Sequence, residues 1–206
     1  NSVKYDFSVN INPKGTPKSV REVILNSVDI ISKYPDLNNR SLKAALSNYF
    51  ELNEDLISVG NGASELIMAV FNALRPHRMI ITAPDFSGYI RAARAVGCNT
   101  EFVNIINGNR DFLAPDEIIE RLIDRVEGLE ARETSDNIYK DREEYGGGEL
   151  DKRGYDGCDN LIMLTNPNNP VGHIINKELM LKLLEMCRRK KVLLGVDESF
   201  ISFAEG

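Results

Sequence analysis

The sequence predicts an α/β protein built in three layers (α/β/α), with helices on both faces of a mostly parallel sheet. Three observations carry that expectation. From residue 56 onward, short apolar runs alternate with amphipathic stretches of helical period. Pro and Gly punctuate the ends of those helical stretches, at Pro76, Gly97 and Pro115. Residues 160–203, NLIMLTNPNNPVGHIINKELMLKLLEMCRRKKVLLGVDESFISF, read as strand, turn, helix and strand in succession. Strands separated by helices pair in parallel, with right-handed crossovers.

Taken in order, residues 6–17 alternate and then turn rich in Gly and Pro, so they form an extended lead-in. Residues 18–33 carry a helical stripe of Val20, Val23, Ile24, Val28 and Ile31. Tyr34-Pro35 ends it, because a residue before Pro avoids the helical region. Asn38 or Asn39 can cap a second helix through Phe50, with Leu42, Ala45, Leu46 and Tyr49 inward. Residues 1–50 are therefore an N-terminal extended segment with helices, and residues 51–206 the α/β part.

Within that part, strands are expected at 56–59, 78–83 and 100–105, and helices at 64–75, 87–96 and 115–126. Residues 128–159 interrupt the rhythm with ten acidic and five basic residues and six glycines. Such a stretch is too polar to supply a core and is expected to be a disordered surface insertion. Residues 161–165 then make a buried strand, and 166–172 a Pro- and Asn-dense turn. Asn176 caps a helix with Leu179, Met180, Leu183, Leu184 and Cys187 on one face. The strand 192–196 delivers Asp197 and Glu198 at its end.

Composition excludes several classes. At 206 residues, 42% of them hydrophobic, the chain can bury one real core. No apolar run approaches the ~20 residues of a membrane span, and no signal peptide is visible. Cys98, Cys158 and Cys187 are scattered and odd in number, which indicates neither a disulfide framework nor a zinc site and points to a cytoplasmic setting. His77 and His173 show no metal spacing. Most of the net charge of −6 falls in residues 128–159, so nucleic-acid binding gains no support.

Ligands of open α/β sheets bind at the carboxyl edge of the strands. Gly60-Asn61-Gly62-Ala63-Ser64-Glu65 lies between an expected strand and helix, where backbone N–H groups can approach an anion. Its spacing is neither the dinucleotide fingerprint nor the P-loop, and a helix start capped by Ser64 is compatible with the same residues. Asp197 alone is either a strand-end cap or a carboxylate held against something cationic. Phe86, after the strand 78–83, is by itself an ordinary core aromatic.

Taken as a pair, Asn-Pro-Asn-Asn-Pro-Val-Gly at 166–172 and the strand ending Val-Asp-Glu-Ser-Phe at 196–200 resemble the core of the fold-type I pyridoxal-phosphate (PLP) enzymes, the class I/II aminotransferase superfamily. That resemblance implies a PLP-transferase large domain in residues 51–206, with the small C-terminal domain missing. It implies that Asn169 bonds the cofactor's phenolic oxygen and that Asp197 pairs with the pyridine nitrogen. A carboxylate there keeps the ring protonated, so that the ring withdraws electrons from a developing carbanion. It implies further that Ala63 and Ser64 hold the phosphate and that Phe86 stacks on the ring. Tyr34 would cross a homodimer interface to the neighbouring subunit's phosphate. Phe200 departs from the Tyr that much of the superfamily carries, so one hydrogen bond to the phenolic oxygen is absent.

The lead-in Asp6-Phe7-Ser8-Val9-Asn10-Ile11-Asn12-Pro13, with Tyr34-Pro35-Asp36, looks like the branch of threonine-phosphate decarboxylases of cobalamin biosynthesis. Histidinol-phosphate aminotransferases are the neighbouring branch. The resemblance thus implies a phosphorylated amino acid or amine as substrate, with Asn12 near it. The family's Schiff-base Lys lies beyond the Asp-bearing strand, and residues 198–206 contain no Lys. Lys177, Lys182, Lys190 and Lys191 are expected to face solvent, so the chain as given is expected to bind cofactor weakly and not to catalyse. Two other classes stay open: a non-catalytic cofactor-binding fragment, and a nucleotide-binding α/β module.

Overall fold

A computed structural model describes residues 10–12, 14–108, 111–129 and 159–204. The chain divides into two compact units, Asn1–Val59 and Gly60–Gly206. Most of the expected insertion at 128–159, and the lead-in residues 6–9 and 13, lie outside the described residues.

The first unit holds α1 (Lys18–Asn26), a 3-10 turn at Val28–Ser32 and α2 (Arg40–Phe50). The single helix expected over 18–33 is therefore two pieces. At Ser27 the backbone leaves helical geometry (φ −108°, ψ 9°), and its N–H closes α1 on the Ile24 carbonyl. Neither Asn38 nor Asn39 caps α2 with its side chain. Asn39 sits at the cap in the left-handed region (φ 49°), and no side-chain cap bond forms there. Asp36 does the work instead, accepting the N–H of Asn38 and of Arg40 at 3.1 Å each. The inward face expected for α2 is also corrected. Leu42, Ala45 and Tyr49 are exposed and Leu46 is half-buried, because helical period records where an apolar stripe runs and not what covers it.

The second unit is the α/β body. Its elements are α3 (Ala63–Leu74), β1 (Arg78–Ala83), α4 (Ser87–Ala95), β2 (Asn99–Asn104), α5 (Pro115–Glu127), β3 (Asn160–Thr165), α6 (Lys177–Arg189) and β4 (Leu193–Asp197). The strand expected at 56–59 does not form. Asn53 accepts the N–H of Asp55 and starts a 3-10 turn at Glu54–Leu56, after which Ile57 is extended but carries no ladder. A strand is stable only when a neighbour takes its backbone groups.

All pairings are parallel, in the order β2-β1-β3-β4. Alternation along the strands sorts side chains to the two faces. Ile80, Ile162 and Leu164 pack with α5 and α6 residues such as Ile119, Leu122 and Leu183. Met79, Ile81, Leu161 and Met163 pack with Ile67 and Phe71 of α3 and with Tyr89, Ala92 and Ala93 of α4. Each large apolar side chain fully buried this way contributes about 1.5–3 kcal/mol. The near-continuous apolar runs of β1 and β3 follow from burial on both faces. Cys98 and Cys187 are buried, and burial pushes the Cys98 thiol up to about 11. Among the described residues, no helix is long and apolar enough to cross a membrane.

Candidate active site

Register places Thr165 of β3 opposite Asp197 of β4, both at the carboxyl ends of their strands. From β1, Pro84-Asp85-Phe86 leads off the same edge into α4. Between α3 and β1 the connection is only Arg75, Pro76 and His77. A helix of 12 residues spans about 18 Å, close to the length of the six-residue β1, so α3 runs back along the strand. Its N-terminus, with Ala63 and Ser64, therefore lies at the carboxyl edge. Asn169 follows β3 in the turn at that edge. Ala63, Ser64, Phe86, Asn169 and Asp197 all sit there. Asn12 and Tyr34 belong to the first unit; Asn12 Oδ1 accepts the Lys14 N–H at 2.9 Å, and Tyr34 is fully exposed.

Asp197 is held on both oxygens. Ser199 donates its N–H (2.9 Å) and hydroxyl (2.5 Å) to Oδ1, and the Tyr89 hydroxyl donates to Oδ2 at 2.6 Å. Burial raises the carboxyl, but the Ser199 hydroxyl, Tyr89 and the Ser199 N–H together outweigh it and hold Asp197 below the usual carboxylate range. A carboxylate offers about four lone-pair sites, and these three donors leave room for one more.

Behind this pair lies a second carboxyl. Thr165 bridges Tyr89 (2.9 Å) and Asp85 Oδ1 (2.5 Å), and Thr82 meets Asp85 Oδ2. The Phe86 N–H also donates to Asp85, at 2.8 Å. Burial pushes the Asp85 carboxyl up against the lowering effect of those donors. Burial, and the neighbouring Asp197 carboxylate, raise the Tyr89 phenol, so it stays a donor.

The Phe86 ring stands edge-on to Tyr89, centroids 5.5 Å apart. It lies directly over Gly88, where a Cβ would come within 2.2 Å of its Cε1. Glycine at 88 is what admits this ring position. In the turn after β3, Asn166 is spent on structure: its side chain accepts from Ile175 N (2.8 Å) and donates to Ile175 O (3.0 Å). Asn168 is spent likewise, accepting the Val171 N–H at 3.1 Å. Asn169 is half-buried and makes no side-chain hydrogen bond among the described residues.

At the start of α3, Gly62 takes φ 87° as the cap residue and Ser64 makes no cap bond. Glu65 reaches back to Asn61, accepting its N–H at 2.7 Å and its Nδ2 at 2.9 Å. Those bonds, the N–H foremost, lower the Glu65 carboxyl. The amides of Ala63 and Ser64 belong to the first turn, which has no intrahelical acceptors. They are exposed there and available to an anion.

Residues 2–206 match the family described as aminotransferase class I and II. The chain belongs to that family. It is 28% identical over 198 residues to the threonine-phosphate decarboxylase of Salmonella typhimurium, covering 96% of this chain and 45% of that one. The histidinol-phosphate aminotransferase structure from Clostridium acetobutylicum superposes with a TM-score of 0.69 at 28% identity, over 97% of this chain and 48% of that one. The histidinol-phosphate aminotransferase from Sinorhizobium meliloti, in complex with pyridoxal-5'-phosphate, gives a TM-score of 0.64 at 19% identity, over 90% and 41%. The chain thus spans about half the length of the relatives it matches. The aminotransferase class I and II fold accounts for the parallel α/β body.

Sequence reasoning assigned no role to Asp85, Tyr89 or Thr165. Tyr89 stands three positions after Phe86, one helical turn on, and that spacing was the available signal. Thr165 reads as an ordinary strand residue, and nothing local marks Asp85.

Proposed function

We propose that this chain is the cofactor-binding part of a PLP-dependent enzyme acting on a phosphorylated amino acid, L-threonine O-phosphate decarboxylase of cobalamin biosynthesis. The observation that supports the cofactor reading best is Asp197, a carboxylate kept ionised and oriented at the sheet's carboxyl edge with one acceptor site to spare. The surrounding donor set fits the same group. Exposed first-turn amides at Ala63 and Ser64 suit a phosphate, the unspent amide of Asn169 suits a phenolic oxygen, and Phe86 offers a ring face held by the gap at Gly88.

When bound, PLP supplies an electron sink for the carbanion formed at the substrate's α-carbon. Asp197 holds a proton on the ring nitrogen by charge, and Tyr89 and Ser199 keep that carboxylate from rotating away. Asn169 donates to the ring oxygen and orients it. Ala63 and Ser64 anchor the phosphate with about half a positive charge from the α3 N-terminus. The same reading assigns the intact protein a homodimer in which Tyr34 serves the neighbouring subunit's phosphate, and assigns Asn12 to the substrate.

Threonine phosphate is placed first on Asn10–Pro13 and Phe200, together with the likeness to the Salmonella relative. The intact protein, loaded with PLP, is assayed for carbon dioxide release from threonine phosphate. Release without a keto-acid requirement supports the decarboxylase. Transamination of histidinol phosphate without decarboxylation replaces it by the aminotransferase, which the Clostridium likeness favours.

A further inference from the structure

Three contacts join Asp85 to Asp197 and a fourth ties Thr82 to Asp85, and their protons can be counted. Thr82 Oγ1 meets Asp85 Oδ2, Thr165 Oγ1 meets Asp85 Oδ1 at 2.5 Å, Thr165 meets Tyr89 at 2.9 Å, and Tyr89 meets Asp197 Oδ2 at 2.6 Å. At such lengths each pair of oxygens holds one proton between them. The hydroxyls of Thr82, Thr165 and Tyr89 bring one proton each, one fewer than the contacts. With both carboxyls ionised, Thr82 and Thr165 donate to Asp85. Tyr89 must then choose between Thr165 and Asp197, and one buried contact is left with lone pairs facing each other.

One further proton closes the set. Placed on Asp85 Oδ1, it goes to Thr165; Thr165 then donates to Tyr89, Tyr89 to Asp197, and Thr82 to Asp85 Oδ2. Placed on Asp197, it would run the chain in reverse. The surroundings separate the two. Ser199 gives Asp197 a hydroxyl and an N–H, both on Oδ1 and both favouring the charged form. Asp85 has, besides the threonines, only the Phe86 N–H on Oδ1, and its carboxyl is the more buried of the two. Among the described residues, Asp197 on β4 is the charged group that reaches Asp85; Tyr89 of α4 is neutral, and β1 and β3 bring only threonines.

We propose that Asp85 is a neutral carboxylic acid at neutral pH and acts as a positioning residue, polarising the Thr165 and Tyr89 hydroxyls so that Tyr89 donates to Asp197. Ionising Asp85 turns the Thr165 proton away and leaves Tyr89 facing a lone pair. The charge on Asp197 is thereby coupled to a proton two hydroxyls away. The value of this for catalysis rests on the cofactor reading above; the protonation of Asp85 does not.

The test uses the intact protein, labelled with carbon-13 at the aspartate carboxyls and measured first without PLP. One resonance in the position of a protonated acid is expected at neutral pH, missing from Asp85→Asn. The Asp197 resonance is expected to titrate in two steps, the second following Asp85, and to lose the second step in Asp85→Asn and in Thr165→Val. D85N keeps a donor for Thr165 and an acceptor for Thr82 but gives the Phe86 N–H no acceptor. PLP affinity is therefore expected to fall by less than tenfold, about 1.4 kcal/mol. An ionised Asp85 at neutral pH, a second step surviving in T165V, or a tenfold affinity loss in D85N at unchanged midpoint overturns the proposal. If D85N does not fold, the wild-type resonance and T165V still decide. If the wild-type protein binds no PLP, the cofactor reading fails while the carboxyl resonances still judge Asp85.

Discussion

The phenol oxygen of Tyr89 lies 2.6 Å from Oδ2 of Asp197, tying the first turn of α4 to the end of β4 across 108 positions of sequence. Removing that hydroxyl strips one donor from Asp197 and one partner from Thr165. Tyr89→Phe should lower stability by about 1–3 kcal/mol, the usual cost of leaving a buried polar group unsatisfied. PLP affinity should fall with it, since Asp197 is freed to rotate. Urea unfolding and absorbance titration measure the two, and a neutral Tyr89→Phe in both would show that the contact does not hold Asp197.

Asp197→Asn removes the charge while keeping the shape. Ser199 loses a carboxylate acceptor, so a modest loss of about 1–2 kcal/mol is expected in unfolding. The larger effect should be on the cofactor, whose ring nitrogen loses its partner. If the variant binds PLP and turns over substrate like the wild type, Asp197 is not that partner.

Stability should depend on pH with opposite signs at the two carboxyls. Asp197 is held low, so its contribution is complete above the ordinary value of about 3.9 and is lost as pH falls through the lower folded value. Asp85 is raised, so its contribution is complete below about 3.9 and is lost as pH rises through the raised folded value. Denaturant midpoints across pH should show the acid-side fall weakened in Asp197→Asn. The fall with rising pH should be absent from Asp85→Asn, and a D85N profile that parallels the wild type throughout would contradict this assignment.

Gly88→Ala tests how the Phe86 ring is seated. The new Cβ would press to 2.2 Å from Phe86 Cε1, so the ring must swing aside. Stability should change little, because Ala in place of Gly favours the helix by roughly 0.5–1 kcal/mol. PLP affinity should drop as the stacking face is lost. Unchanged affinity with an unmoved ring would remove Phe86 from the site.

Lys177, Lys182, Lys190 and Lys191 are all exposed, and Lys190 donates to the Glu127 carbonyl at 2.9 Å. Borohydride reduction of the intact, PLP-loaded protein followed by peptide mapping should label a Lys outside residues 1–206. A single stoichiometric label inside that range, in a protein that turns over, would reverse this.

Residues 78–83, 160–165 and 177–189 were legible because strand runs, helical period and the Asn176 cap are local signals. The sheet's carboxyl edge followed from alternation, and with it the placement of Phe86, Asn169 and Asp197. Ala63 was expected there behind a strand at 56–59 that does not form, and it reaches the edge because α3 runs back along β1. The stretch 56–59 misled because an apolar run says nothing about whether a neighbour will take its backbone. Capping of α2 misled because Asp36, four residues before Arg40, lay outside the expected cap. What only the tertiary structure decided is the chain of hydroxyls from Asp85 to Asp197. Its members stand 80, 76 and 108 positions apart. Thr165 bonds Asp85 and Tyr89 only because strand pairing and helix packing carry three separate segments to one point. No residue's own neighbours in sequence encode a hydrogen bond that burial makes obligatory.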